Sequence, residues 1–126
     1  IYTKKLNNMK LKYFTDEGDF KGNMDKMDPK LLGMLDALRK EYGFPIIINS
    51  SYRSPDHPIE AAKEKPGEHA HGAAVDIKCT GGEATYLLVA AAIKCGFKRI
   101  GISRKSNFVH VGIGYPGAPD TTIWTY

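Results

Sequence analysis

Leu31, Leu35, Leu38 and Tyr42 recur at three- and four-residue spacing within DPKLLGMLDALRKEYG, the run from Asp28 to Gly43. That spacing lines one face of a helix. Asp28 can cap its first turn, Pro29 suits the first helical position, and Gly43 supplies a left-handed stop. PIIINSSYR follows with β-branched residues and no helical period, which predicts a buried strand with a polar tip. AAVDIKC is the next strand. GGEATYLLVAAAIKCG then reads as a second helix, opened by glycines and closed at Gly96. It is apolar around most of its circumference and is expected to lie buried against a sheet. KRIGIS, FVHVGIG and TTIWTY read as short strands joined by turns. From Ser54 to His71 the chain is rich in Pro, Gly and charge, and a loop of that length in a small domain usually carries function. The first 27 residues are mixed and polar, with aromatics at Tyr13, Phe14 and Phe20, and are expected to form a short strand or arm wrapping the rest. The sum is an α+β fold, with helices packed on one face of a small antiparallel sheet.

Length changes this picture little. At 126 residues the chain is expected to be one domain, 1–126, with 1–27 as its N-terminal arm. Aromatic and β-branched residues along the whole length argue against disorder. The net charge of +4 suits an anionic partner. The lysines are scattered, however, with no run of five or more basic residues, so nucleic acid is not the expected partner. No apolar segment is long enough to span a membrane, and the opening IYTKKLNNMK lacks the apolar core of a signal peptide. Cys79 and Cys95, without CxxC spacing, are either a disulfide or two small buried thiols.

The chemistry concentrates in GEHAHGAAVDI, Gly67 to Ile77. In AAVDI, Val75 and Ile77 alternate with Ala74 and Asp76, so Asp76 points away from the apolar face. In FVHVGI the same alternation puts His110 opposite Val109 and Val111. If the two strands are neighbours, Asp76 and His110 share a face and His69 reaches them from the loop end. Two imidazoles and a carboxylate are a catalytic metal's usual ligand types, with a fourth position left for water. Periodicity alone leaves the bland readings open: a packed, hydrogen-bonded core histidine, and a strand-end aspartate that anchors a turn.

HAHGAAVD also reads as H-x-x-G-x-A-x-D, from His69 through Gly72 and Ala74 to Asp76. This resembles the signature of the zinc D-alanyl-D-alanine peptidases, which share their fold with the hedgehog signalling domain. INSSYRSPDH is similar to the family's S-x-Y-R segment, GFKRIGI with NFVHV to the segment bearing its last histidine ligand, and IWTY to the closing strand of the phage-type branch. The resemblance implies one zinc ion held by His69, Asp76 and His110. It implies that Arg53 stabilises an oxyanion or holds a substrate carboxylate, and it places Ser50, Tyr52 and His57 on the substrate side. Ser50 would orient Arg53 or the loop, Tyr52 would be wall or core, and His57 a turn residue or a substrate contact. His71 falls on an unconstrained position of the motif and is expected to be a bystander.

The sequence departs from that pattern at the proton carrier. Relatives place a carboxylate three residues before the last histidine or two residues after it, and here those positions are Asn107 and Gly112. Glu68, Asp56 and His57 are the remaining candidates for moving a proton. Two functions follow from the resemblance. The first is a zinc metallopeptidase cutting the peptide stems of bacterial peptidoglycan, as a carboxypeptidase or endopeptidase, acting outside the cytoplasm as a monomer. The second is a catalytically impaired module that keeps the zinc and binds wall peptide or a protein partner. A purely structural zinc is the weakest reading, since such sites are normally closed by four ligands rich in Cys.

Overall fold

The computed structural model describes residues 10–126, so the first part of the expected N-terminal arm lies outside the described residues. The rest of that arm is helical where regular, with α1 at Asp16–Asp19 and a 3-10 turn at Met24–Lys26. It sends Phe14, Phe20, Met24 and Met27 into the core.

The first long helix, α2, spans Pro29–Tyr42. Its cap is as the sequence predicts: the Asp28 carboxylate accepts the Lys30 N–H at 2.8 Å, and Gly43 closes the helix at φ 81°. Leu31, Leu32, Leu35 and Leu38 form its buried stripe. The second, α4, spans Gly82–Lys94 and packs against α2 and the sheet, while α3 is a single turn at Pro58–Ala61. As expected, α4 lies against the sheet, but not all of its apolar circumference is covered. Thr85, Leu88, Ala91 and Ala92 face inward, whereas Tyr86 and Ile93 are exposed. The sheet covers only one side of this helix, and among the described residues nothing is layered on the other.

The five strands are β1 Ile48–Ser50, β2 Ala74–Lys78, β3 Arg99–Ser103, β4 Phe108–Gly112 and β5 Thr122–Thr125, in spatial order β1-β2-β4-β3-β5. The first three pairings are antiparallel. The edge pair β3 and β5 is parallel, which corrects the all-antiparallel expectation: the sheet is mixed. The strand expected through PIIINSSYR is short and stops at Ser50, because the chain leaves the sheet to carry Arg53 toward the loop containing His69.

Alternation sorts the sheet into two faces. Val75, Ile77, Ile100, Val109 and Val111 point to the helices and are all but fully buried with the leucines of α2 and Leu88 of α4. Each such side chain contributes about 1.5–3 kcal/mol of burial. The other face carries the polar residues. Cys79 and Cys95 are both free thiols. No described helix is long and apolar enough to cross a membrane.

Candidate metal centre

One row of the sheet builds the centre. Ser50 of β1 pairs with Asp76 of β2, Asp76 with His110 of β4, His110 with Gly101 of β3, and Gly101 with Trp124 of β5. Residues in register on one face are nearest neighbours, so this pairing alone sets Asp76 beside His110. Glycine at 101 leaves the space that Trp124 uses: a Cβ there would lie 2.7 Å from the indole. Trp124 can therefore lean over the strand to within 5.1 Å of the His110 ring, centroid to centroid. The third member arrives from a 3-10 turn, Glu68–His71, which Gly72 ends at φ 64° just before β2. That turn drops the buried His69 onto the end of the row.

Hydrogen bonding fixes how the imidazoles present themselves. His69 Nδ1 lies 2.7 Å from the Ser51 carbonyl oxygen, which can only accept, so Nδ1 carries the hydrogen. Its Nε2 then offers a lone pair toward Asp76 Oδ1 at 3.2 Å. His110 mirrors it, with Nε2 2.6 Å from the Glu68 carboxylate and Nδ1 3.0 Å from the same Asp76 oxygen. Three lone-pair atoms thus converge, all within 4.8 Å of one another. Such a set is repulsive unless a cation sits among them, and two imidazole nitrogens with one carboxylate oxygen suit a borderline transition metal better than Ca²⁺ or Mg²⁺.

Protons answer to the same field. Burial works to raise the Asp76 carboxyl, but contact with His110 and His69 outweighs it and holds Asp76 well below the usual carboxylate range. Burial works to lower His110, and Asp76 and Glu68 together raise it. A metal would take the place of those protons between the rings and the carboxylate.

Around this core lies a ring of charge. Arg53 forks, one nitrogen 3.1 Å from Glu60 and the other 3.4 Å from Asp76 Oδ2, the oxygen that faces away from the histidines. Its own N–H donates to the His69 carbonyl, so Arg53 braces two of the three candidate ligands. Glu60 is almost wholly buried and also receives Lys63 and the Gly67 N–H. On the far side, Arg99 donates to Glu68 at 3.0 Å and to the Pro119 carbonyl oxygen. These groups open into a cleft of about 500 Å³ whose outer wall is Phe108, Tyr115, Trp124 and Tyr126.

The structure brings His69, Asp76, His110 and Arg53 together. Ser50, Tyr52 and His57 line a neighbouring cleft that shares Arg53 with the first. Tyr52 also packs against the core, and His57 is exposed and caps α3 by accepting the Ile59 N–H. Asp56 stands on the exposed loop. His71 is exposed and stacks on Tyr115, 4.8 Å between centroids, away from the ligand set. Glu68 is buried, and its carboxylate lies at the edge of His110 remote from Asp76. The sequence reading passed over Glu60, Arg99 and Trp124. Alternation in RIGIS puts Arg99 on the Asp76 face and could have found it, whereas the four-residue helix holding Glu60 has no periodicity to read.

A family model described as Peptidase M15 matches residues 5–112, a span that contains all three candidate ligands and Arg53. No curated protein matches the chain.

Proposed function

The chain belongs to the peptidase M15 family of metallopeptidases, and from that premise we propose that it is a zinc enzyme that hydrolyses peptide stems of bacterial peptidoglycan, as a carboxypeptidase or endopeptidase. The observation that carries the reading is the convergence of His69 Nε2, Asp76 Oδ1 and His110 Nδ1 at the head of a cleft, inside the matched span. Zinc held there supplies Lewis-acid polarisation of a peptide carbonyl and lowers the pKa of water toward about 7.

The chain's own residues do the rest. Ser51 and Glu68 fix the two imidazole tautomers. Arg53 pins Asp76 and turns its remaining N–H donors to the cleft, where a guanidinium can hold an oxyanion or a substrate carboxylate. Phe108, Tyr115, Trp124 and Tyr126 give a substrate an apolar wall and exclude water, and Lys63 and Lys65 line the same cleft with positive charge suited to an anionic wall polymer. Ser50, Tyr52 and His57, across Arg53, offer the second cleft to the far part of a stem peptide. The protein acts as a monomer outside the cytoplasm, on host wall or as part of a phage lytic apparatus.

The second reading, a zinc module that binds wall peptide without cutting it, has its own support. Asn107 and Gly112 carry no carboxylate, and the Glu68 carboxylate is engaged behind His110. One experiment tests both. Purified protein is expected to hold close to one zinc, with none in His69→Ala or His110→Ala, and to release fragments from muropeptides detectable by mass spectrometry. Retained peptide binding with no product decides for the module. Folded protein that takes up no zinc defeats both.

A further inference from the structure

Gly112 poses a question its backbone does not answer. It ends β4, paired on both sides with Ala74 and Arg99, and it is not among the glycines with positive φ. Any residue can adopt that conformation, so glycine is not there for flexibility. The constraint is space. A Cβ at 112 would fall inside the Glu68 carboxylate, overlapping both oxygens and the carbon between them. A side chain at 112 and the side chain of Glu68 are therefore mutually exclusive.

We propose that Glu68 is the positioning residue of His110, its carboxylate delivered from the 3-10 turn into the space that a side chain at 112 would otherwise fill. The proposal rests on reading the centre as a metal site. Three donors hold that carboxylate: His110 Nε2 at 2.6 Å on one oxygen, and Arg99 Nε at 3.0 Å with the Gly114 N–H at 2.7 Å on the other. With both oxygens tied, the carboxylate cannot swing, and His110 is locked with its Nδ1 lone pair toward Asp76 and His69. A metal-binding imidazole whose far N–H donates to a carboxylate is a better and better-aimed ligand, and losing that partner typically weakens the metal by about ten- to a hundred-fold. Glu68 and His69 are adjacent, so one turn of chain supplies both a ligand and the group that aims the ligand opposite. On this proposal Glu68 aims His110 and does not carry the proton, its oxygens lying across the ring from the metal position.

Zinc affinity, measured by competition with a chromophoric chelator, tests this in four proteins: wild type, Glu68→Ala, Gly112→Asp and the double variant. Each single variant is expected to weaken zinc about ten- to a hundred-fold, Glu68→Ala by removing the carboxylate and Gly112→Asp by forcing two into one space. The double variant, with one carboxylate again in that space, is expected to return to within a few-fold of wild type. The Co²⁺ absorption spectrum should follow the same pattern. A purely structural role would lower the unfolding temperature and leave zinc affinity unchanged, so Glu68→Ala with wild-type affinity overturns the proposal. A double variant no tighter than Glu68→Ala overturns it as well. Should Glu68→Ala fail to fold, the double variant decides alone: folded with near-wild-type affinity it supports the proposal, and folded but weak, or unfolded, it overturns it. Wild-type protein that takes up no zinc defeats the metal reading and this proposal together. Wild-type protein that binds zinc but cleaves nothing defeats only the peptidase reading.

Discussion

Glu60 is 1% exposed in the middle of a loop whose other residues, from Ser54 to Pro66, all face solvent. A lone carboxylate in such a place would be strongly destabilising, and burial does push its pKa upward. The Gly67 N–H, the Lys63 ammonium and the Arg53 guanidinium outweigh burial and bring Glu60 down to about 2. A carboxyl whose pKa falls on folding stabilises the fold above its unfolded pKa of about 4.5, and that contribution is lost as pH drops toward 2. With partial screening through the exposed end of Lys63, the linkage is on the order of 2–3 kcal/mol. Glu60→Gln is therefore expected to be less stable than wild type at neutral pH, with the gap narrowing by about that amount between pH 5 and 2. Urea unfolding across this range reads it directly. A gap that stays constant with pH would mean that Glu60 acts by shape and not by charge. Arg53 is the pivot at this scale, since its guanidinium joins Glu60 to the candidate ligand Asp76.

At the scale of elements, the centre depends on how the 3-10 turn Glu68–His71 is seated. Gly72 ends that turn in the left-handed region, its carbonyl oxygen accepts the Asp28 N–H at 2.8 Å, and a Cβ on it would collide with the Lys26 carbonyl oxygen. Backbone strain and overlap with main-chain atoms add, so Gly72→Ala is expected to destabilise the protein by about 2–4 kcal/mol. Gly33, exposed within α2 and with nothing near its would-be Cβ, is the control: Gly33→Ala should stabilise by about 0.5–1 kcal/mol. Equal effects at the two sites, read by denaturant midpoint, would show that Gly72 is not under this constraint. Local pattern made α2, α4 and the strand faces legible, because helical period, caps and alternation are written into adjacent residues. Asp76 and His110 were legible for the same reason. Pairing is not local: nothing in TTIWTY says that it joins β3 in parallel, and nothing in GEH says that Glu68 turns inward to meet Gly112 and Arg99. Spacing along the chain assigns Glu68 no partner, and only the packing of two strands and a turn gives it a place.

For the whole molecule, the candidate centre is the point where separate parts of the chain are joined. His69 comes from the loop, Asp76 from β2 and His110 from β4, and through Arg53 and Glu60 the loop at Ser54–Pro66 is tied to the same point. Unfolding scatters these ligands, so an ion that binds the folded state adds RT ln(1 + [L]/Kd) to stability, about 2.7 kcal/mol at a hundredfold excess over Kd. In a domain of this size that corresponds to a rise in Tm on the order of 10 °C. Chelated protein is therefore expected to melt about that much lower than protein with excess Zn²⁺, and Mg²⁺, which prefers oxygen ligands, should not restore the difference. His110→Ala should show no zinc-dependent shift, because two ligands do not make the site. The comparison separates two roles for the centre. A zinc-dependent shift that survives in His110→Ala would place the ion elsewhere, whereas its loss would make the ion the clasp between loop and sheet and leave the helix-facing core to fold without it.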